Sequence, residues 1–547
     1  PRVLRVRFKI PKKEGKPEKA EKGEGQDSQL AELVEAEPTA YPLVSPERLK
    51  LSILRGEARL LESYPLYEPW AYAYITEDAS SGTINYIVYE IGLSPQEESV
   101  YKSIVDYITW ELEPPKVPVE DVREYISRFA KRAIRLFQLR LGRTPGLSWS
   151  KIGYYIERNI VGYGPIDPLM RDPNIEDISC NGPGLPVYVW HRRYEYIPTS
   201  IAFRTSEELD EFVVKLAHLA GKHLSVAYPV LDAIIPGGHR VAAPFQREVS
   251  TKGSTFTIRK FREDPITIVD LMNYGTISPE IAAYFWLAMD YKMTTLILGV
   301  TGAGKTSPLN ALANLLRPTY KIVTIEDTPE LRLPQENWVQ LTARPTYLVS
   351  GITEIKLYDL VKISLRYRPD VIIVGEVRGE EAYVLFQAIA TGHSGITTLH
   401  AEDIDAAVKR LTSSPMNIPQ SYIPLVNMAL VVKRVTKLDE SGRPRPVRRI
   451  TSVWEVEDFG KYREFAAWDP LRDRFKVNLK ESLILERVAK MRGLDVGDVL
   501  EDVVRRRAIL EYLAATGKRS YKEIATYVYN YYYKPNEVLK EIGFEKR

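Results

Sequence analysis

Residues 299–306 read GVTGAGKT, and this stretch decides how the rest of the chain is interpreted. Gly299, Gly304, Lys305 and Thr306 satisfy the spacing G-x-x-x-x-G-K-[ST] of a phosphate-binding loop. The apolar run TLILG precedes the loop, and LNALANLL, with apolar residues at helical spacing, follows it. Because the motif requires a strand before it and a helix after it, this context predicts a nucleotide site rather than a chance glycine turn.

The residue types of the loop predict how it holds ATP. Its glycines let backbone N–H groups surround the phosphates, Lys305 reaches the β and γ oxygens, and the Thr306 hydroxyl binds Mg²⁺. The predicted nucleotide contacts are Gly299, Thr301, Gly302, Ala303, Gly304, Lys305, Thr306 and Ser307. Pro308 removes a backbone donor, but it stands in the first turn of the following helix, where that donor has no intrahelical partner. The helix is therefore expected to form.

Three later apolar strands each end in a polar residue. They are IVTI at 322–325 before Glu326, VIIV at 371–374 before Glu376, and SGITTL at 394–399 before His400. Ligands of open α/β sheets lie beyond the carboxyl ends of the strands, so these side chains should meet the loop in one crevice. Glu326 and Glu376 are candidates for positioning the attacking water and for the Mg²⁺ shell, and His400 is a candidate γ-phosphate sensor. Glu376 stands where a Walker B aspartate is usual, whereas Asp370 lies at the opposite end of its strand.

The histidines offer a second interpretation of this region. His393 and His400 are two of only six histidines, and their proximity in sequence indicates a shared local purpose, such as a metal site. A metal site ranks lower because no third ligand clusters with them and their spacing does not place them on one helix face.

Composition limits the function classes that remain. The 547 residues predict about two to four domains. The net charge of +3, from 75 basic and 72 acidic residues, gives no electrostatic case for nucleic acid. The apolar runs are shorter than the roughly 20 residues of a membrane span, so the chain is expected in the cytoplasm. Cys180 is the only cysteine, which excludes an internal disulfide or a cysteine metal cluster, and it is expected to be buried.

Longer segments resemble a known family. VTIEDTPEL at 323–331, LRYRPDVIIVGEVRGEEAYVLFQAIATGHSGITTLHA at 365–401 and RLTSSPMNIPQSYIPLVN at 410–427 resemble the Asp box, Walker B and His box of the secretion superfamily ATPases. The similarity covers about residues 60–540, and it is greatest to the archaeal branch with the type IV pilus assembly ATPases and the archaellum motor ATPase.

The resemblance implies a fold and a set of roles. It implies an α/β chain with a RecA-like P-loop ATPase core, a PAS-like α/β amino-terminal domain and a further small α/β domain, assembled as a homo-hexameric ring. Glu326 matches the family's general base, Glu376 its Walker B glutamate and His400 its His box histidine. Arg240 and Arg259 match arginines that complete the site from the amino-terminal domain, which covers the nucleotide.

The domain boundaries follow from these patterns. Residues 11–38 are rich in Lys, Glu, Gly and Pro, which predicts a flexible tail, whereas helices and apolar strands alternate after residue 266, which predicts a parallel sheet. The predicted segments are a charged tail at 1–40, a small α/β subdomain at 41–117, a helical region plus α/β covering domain at 118–265, the RecA-like core at 266–435, and strands with a helical extension at 436–547.

The resulting hypothesis is a hexameric ATPase motor that assembles a type IV pilin-like filament. It would act at the inner face of the cell membrane by pushing on a polytopic membrane platform protein, through which it would associate peripherally with the membrane. The archaellum motor is an alternative within the same fold. A nucleic-acid translocase is an alternative of another class, which the near-neutral charge disfavours.

Overall fold

The chain folds as two compact units, and the division falls between Phe261 and Arg262. The computed structural model describes residues 53–111, 122–261, 264–344, 354–438, 442 and 444–544, so the predicted tail at 1–40 lies outside the described residues. Each unit is built on one nine-stranded sheet. In the described part of the chain, no helix combines the length and the apolar character needed to span a membrane.

Among the described residues of the first unit, six α-helices accompany a largely antiparallel sheet. Its strands are β1 (Ala58–Tyr67), β2 (Ala71–Asp78), β3 (Ile84–Glu90), β4 (Ile175–Cys180), β5 (Pro186–His191), β6 (Glu195–Ala202), β7 (Val230–Ile235), β8 (His239–Pro244) and β9 (Phe256–Arg259). Its α-helices are α1 (Pro95–Glu111), α2 (Val122–Leu136), α3 (Pro145–Ile156), α4 (Asp167–Arg171), α5 (Ser206–Leu219) and α6 (Gln246–Val249). A π-helical turn, Glu157–Val161, follows α3.

Strand pairing joins the two predicted amino-terminal segments into one sheet. The strand order is β1-β2-β3-β6-β5-β4-β9-β8-β7. β2 and β3 form an antiparallel hairpin. β3 then pairs with β6 in parallel at Tyr86 and Thr199, so the sheet continues from the segment 41–117 into the segment 118–265. The separate boundary at 117 stays a prediction.

Alternating burial along the strands forms the core of the first unit. Ile178 of β4, Val189 of β5 and Ile258 of β9 are fully buried, and Cys180 is buried beside them, as expected for a small apolar residue. The apolar face of α5 joins the same cluster. The Thr205 hydroxyl caps this helix by accepting from the backbone N–H of Glu208 at 3.2 Å.

The second unit contains the phosphate-binding loop. Its strands are β10 (Thr295–Leu298), β11 (Ile322–Glu326), β12 (Trp338–Thr342), β13 (Val371–Val374), β14 (Ser394–Leu399), β15 (Met428–Leu438), β16 (Pro444–Asp458), β17 (Lys461–Asp469) and β18 (Arg474–Val477). Its α-helices are α7 (Ile268–Asn273), α8 (Pro279–Asp290), α9 (Thr306–Ala313), α10 (Leu357–Ser364), α11 (Glu381–Ala390), α12 (Ile404–Thr412), α13 (Leu483–Arg492), α14 (Val496–Ala515), α15 (Tyr521–Tyr533) and α16 (Pro535–Glu541).

The sheet of the second unit is parallel over its first six strands and antiparallel beyond them. Its order is β12-β11-β13-β14-β10-β15-β16-β17-β18, and the first six strands pair in parallel. Every residue of β10, β13 and β14 is buried, because helices cover both faces of a parallel sheet. The predicted α/β class with a RecA-like core is confirmed. β16, β17 and β18 continue this sheet as antiparallel strands beyond the predicted boundary at 435, which stays a prediction.

A buried carboxylate fastens the carboxyl-terminal helices to this sheet. Glu455 of β16 has no exposed surface. Its carboxylate accepts hydrogen bonds from the Tyr284 hydroxyl of α8 at 2.7 Å, the Ser482 hydroxyl at 2.5 Å and the Leu483 N–H at 2.7 Å. The Leu483 N–H belongs to the first turn of α13, where backbone donors lack intrahelical partners. One side chain therefore ties a strand, a buried helix and a helix start together.

We expect Glu455→Ala to destabilise the second unit strongly. The substitution leaves several buried donors without an acceptor, at about 1–3 kcal/mol each, so the expected loss is about 3–5 kcal/mol. Denaturant unfolding of the full chain measures it. The control is Glu457→Ala on the same strand, whose exposed side chain makes one ion pair to Arg463 at 3.8 Å and should cost less than about 1 kcal/mol. Equal losses in the two variants would contradict this role of Glu455.

Candidate nucleotide-binding site

The phosphate-binding loop joins the end of β10 to the start of α9. Gly302 and Gly304 have φ values of +75° and +86°, a conformation that side chains disfavour, so glycine is required at these turns. α9 begins at Thr306, and its first-turn N–H groups are available to an anion. Pro308 is the third residue of this helix, and the helix continues to Ala313. The expectation that the helix tolerates Pro308 is confirmed.

Lys305 lies folded back over the loop. Its Nζ donates to the carbonyl oxygen of Gly299 at 3.1 Å, and to that of Val300 at 3.4 Å. Burial lowers the pKa of Lys305, and the nearby Glu376 carboxylate partly opposes that shift. The two carbonyl oxygens are weak partners for an ammonium group, so phosphate oxygens can take over its N–H donors.

His400 links the loop to the end of β13. Its Nδ1 lies 3.4 Å from Lys305 Nζ and 3.5 Å from the Thr301 hydroxyl, and its Nε2 lies 2.5 Å from the Glu376 carboxylate. Burial lowers the pKa of His400, with the charge of Lys305 acting in the same direction. The neutral imidazole is therefore favoured. The other Glu376 oxygen accepts from Arg378 Nε at 2.9 Å.

Glu326 is held rigidly at the end of β11 and is 3% exposed. One carboxylate oxygen accepts from the backbone N–H groups of Glu330 at 2.8 Å and Leu331 at 3.0 Å, and the other accepts from Gln340 Nε2 at 3.2 Å. Burial raises the pKa of Glu326 despite these hydrogen bonds. A carboxylate with a raised pKa takes up a proton more readily, which suits a general base.

The three strand ends converge as the sequence predicts. A Cβ at Gly375 would lie 3.3 Å from Cγ of Glu326, so Glu326 lies against the strand end that carries Glu376. Glu376 contacts His400, and His400 contacts Lys305. The loop, both carboxylates and the histidine therefore occupy one edge of the sheet.

The shared purpose expected for the two histidines is wrong. His393 precedes β14 and its Nδ1 lies 3.0 Å from the carbonyl oxygen of Ala388, whereas His400 follows the strand. A six-residue strand is about 20 Å long, so the two rings lie at opposite ends of the sheet. Among the described residues, no group of three or more His, Cys, Asp or Glu side chains could hold a metal ion.

Arg240 and Arg259 belong to the first unit and are neighbours there. They face each other directly across β8 and β9. Both are exposed, and Arg240 Nη2 pairs with Asp232 at 3.1 Å. Arg259 also pairs across the sheet with Asp177 of β4, where it offsets the rise that burial causes in the pKa of that carboxyl. Each arginine therefore has an acidic neighbour in its own sheet, which offsets the repulsion between the two like charges.

Sequence reasoning assigned no role to three residues at the site of the second unit. Arg378 pairs with Glu376 through Nε, and its Nη1 lies 3.9 Å from the Asp327 carboxylate. Gln340 reaches Glu326 from the neighbouring strand β12, and Arg448 of β16 lies against Gly304. Arg378 stands two residues after Glu376, so the strand-end pattern could have found it. Gln340 and Arg448 depend on strand order, which no local motif reveals.

The donor set fits the Mg²⁺ ion that such a loop implies. Thr306 supplies a hydroxyl at the start of α9, and Glu376 supplies a carboxylate at the end of β13. Mg²⁺ is usually held by one or two protein oxygens together with substrate phosphates and waters, rather than by a cage of protein ligands. Two protein oxygens beside a phosphate-binding loop are consistent with that mode.

A phosphate-binding loop on a parallel sheet, with polar side chains at three strand ends, defines a P-loop nucleotide-binding protein. Residues 160–468 match the family model described as type II/IV secretion system protein, and the chain belongs to this family. The match confirms the resemblance to the secretion superfamily that the sequence boxes indicate.

The chain is also similar to individual proteins and to a solved structure. The uncharacterized protein MJ0900 of Methanocaldococcus jannaschii is 34% identical over 486 residues, which cover 83% of this chain and 86% of that protein. The type IV secretion system protein PtlH of Bordetella pertussis is 28% identical over 319 residues, 53% of this chain and 92% of its own. The X-ray structure of the Legionella pneumophila ATPase DotB matches 65% of this chain and 93% of its own, with 17% identity and a TM-score of 0.39.

Proposed function

We propose that this protein is an ATPase motor that powers assembly of a type IV pilin-like filament through a polytopic membrane platform protein. Family membership supports the association with secretion systems. The observation that carries the ATPase proposal is the contact chain from Lys305 through His400 to Glu376, with Glu326 packed beside it. Phosphoryl transfer to water needs positive charge, a metal ion and a group that positions the water, and these side chains can supply the charge, a metal ligand and the water-positioning carboxylate.

The proposed reaction is hydrolysis of ATP to ADP and phosphate. Lys305 and the loop N–H groups bind the β- and γ-phosphates, and the Thr306 hydroxyl with Glu376 would hold Mg²⁺, which neutralises phosphate charge when bound. A water oxygen attacks the γ-phosphorus, the bond from that phosphorus to the β,γ-bridging oxygen breaks, and Glu326 accepts the water's proton. Burial and three hydrogen bonds fix the Glu326 carboxylate, so it can hold the water in line.

His400 is proposed to report the state of the γ-phosphate. Its ring touches both Lys305 and Glu376, so removal of the phosphate changes the partners available to Lys305 and thereby to the histidine. Arg410 donates to the His400 carbonyl oxygen at 2.9 Å, which connects the histidine to helix α12. A change at the phosphate can reach that helix through this contact.

Arg240 and Arg259 are proposed to act on the nucleotide as the arginines of a multi-subunit site. The proposal rests on the family resemblance and on their pairing across β8 and β9. We expect Arg240→Ala and Arg259→Ala each to lower kcat by at least about a hundredfold. Arginines that stabilise the charge of this transition state raise kcat by about 10³–10⁵-fold. Steady-state ATPase assays measure the effect.

Arg192→Ala is the matched control for those two variants. Arg192 is a partly exposed arginine of the same unit with an ion pair to Glu176 at 3.4 Å. Its removal should leave kcat unchanged. Parent-like kinetics in both Arg240→Ala and Arg259→Ala would place these arginines outside the site.

The motor assignment is tested in the native cell. Affinity purification of the Glu326→Gln chain, which should hold ATP without hydrolysing it, is expected to recover a polytopic membrane protein whose gene lies beside pilin-like genes. Deletion of the gene that encodes this protein should abolish assembly of that filament. Recovery of an archaellum platform would assign the chain to that motor instead, and ATPase stimulation by DNA that weakens with salt would favour a translocase.

A further inference from the structure

Arg448 of β16 lies directly on the phosphate-binding loop. A Cβ built at Gly304 would lie 2.7 Å from both Cδ and Nε of Arg448. Gly304 precedes Lys305, and its φ of +86° turns the backbone N–H groups that surround bound phosphate. The guanidinium therefore begins within van der Waals distance of the part of the loop that binds the anion. Its strand is separated from β10 only by β15.

One donor of the Arg448 side chain also lacks an acceptor among the described residues. Nε of Arg448 is buried and has no hydrogen-bond partner among the described residues. A buried donor on a charged group without an acceptor is costly, and such groups are normally paired. An acceptor supplied by a ligand removes that cost.

The neighbouring residue, Arg449, is an arginine of the same strand whose guanidinium is held by protein acceptors. Arg449 donates to both carboxylate oxygens of Asp473, at 2.9 and 3.0 Å, and to the carbonyl oxygen of Tyr274 at 3.1 Å. Adjacent strand residues point to opposite faces of a sheet. Arg449 is thus satisfied on one face, while Arg448 is directed to the loop on the other.

We propose that Arg448 is a nucleotide-binding residue that donates from its guanidinium to the phosphate oxygens of the nucleotide held in the same chain. The inference rests on the proposed ATP site and adds a further cation to it, on the side of the loop away from His400 and β14. An arginine suits this position because its planar fork can meet two phosphate oxygens, whereas the Lys305 ammonium acts as a point charge. Both ADP and ATP carry the phosphates concerned.

The test compares nucleotide affinity in matched variants of the full chain. Arg448→Gln and Arg448→Met remove the guanidinium, and the methionine keeps an apolar stem over Gly304. Each is expected to raise the Kd for fluorescent ADP by about tenfold or more, since charge-assisted pairs to phosphate are among the stronger hydrogen bonds. The affinity for pyrophosphate, measured by its displacement of the fluorescent ADP, should fall by a similar factor. Arg445→Gln, at an exposed position on the same strand, should bind like the parent.

The outcomes separate this inference from the proposed function. ADP affinity within about twofold of the parent in either guanidinium-free variant that keeps the parent's thermal unfolding midpoint overturns the role of Arg448 and leaves the ATP site standing. Weaker ADP binding with unchanged pyrophosphate binding assigns the residue to the base or ribose and overturns the phosphate contact. A parent chain that binds no ADP overturns both proposals.

Discussion

Glu326→Gln is expected to bind ATP with nearly the affinity of the parent and to lose turnover by about 10²–10⁴-fold, the usual contribution of a positioned general base. Glutamine has the same shape, and its amide oxygen can still accept from the N–H groups of Glu330 and Leu331. It cannot accept a proton from water at neutral pH. Single-turnover hydrolysis together with equilibrium ATP binding separates the two effects.

Glu330→Gln is the matched control for this substitution. The Glu330 backbone N–H donates to Glu326, so its side chain can be changed while that hydrogen bond is kept. Its turnover should stay within about threefold of the parent. A parental hydrolysis rate in Glu326→Gln would show that another group takes the proton.

Because the pKa of Glu326 is raised, we also expect a specific pH dependence of ATP hydrolysis. A base must be ionised to act, so kcat should fall as the pH drops through the folded-state pKa of Glu326, which burial places above that of an exposed glutamate. The acid limb of the pH–rate profile should therefore lie at higher pH than an exposed glutamate would give. Glu326→Gln should lack that limb in its residual activity.

Lys305→Ala should abolish tight binding of both ATP and ADP. The ammonium contributes charge-assisted hydrogen bonds to phosphate oxygens, and their loss should raise the Kd at least about a hundredfold, or about 2.7 kcal/mol. Isothermal titration with each nucleotide measures the change. Because burial lowers the pKa of Lys305, its ammonium group loses its proton at a lower pH than that of an exposed lysine. As the pH is raised, nucleotide affinity should therefore begin to fall at a lower pH than an exposed lysine would give.

Lys362→Ala is the control for general charge effects. Lys362 is an exposed lysine of α10 in the same unit, and its removal changes the net charge equally. Its nucleotide affinity should match that of the parent. Retained tight binding in Lys305→Ala would contradict the assignment of the loop itself.

The sequence predicted the parts of the site that depend on local pattern. The loop, the buried strands and the polar residue at the end of each strand are all visible in one dimension, because a parallel strand buried on both faces is mostly apolar and a charged residue or histidine marks its carboxyl end. His400 and Glu376 could be joined by the rule that strand ends meet at one edge of the sheet. Their contact confirms that reasoning.

The remaining features depend on strand order, which the sequence does not display. Gln340 reaches Glu326 because β12 lies beside β11, and Arg448 reaches Gly304 because β16 doubles back beside β15. The error over His393 has the same origin. His400 follows it by only seven positions in sequence, but the six-residue extended strand between them carries the two rings to opposite ends of the sheet.

The position of β15 determines which fragments of the protein can be prepared. β15 is hydrogen-bonded to β10 on one side and to β16 on the other. A truncation at residue 435 would end inside this strand and leave its outer N–H and C=O groups without a neighbour. Such an open edge pairs readily with other molecules and promotes aggregation. A fragment intended to retain the nucleotide site should therefore include β16 to β18 as well as the P-loop strands.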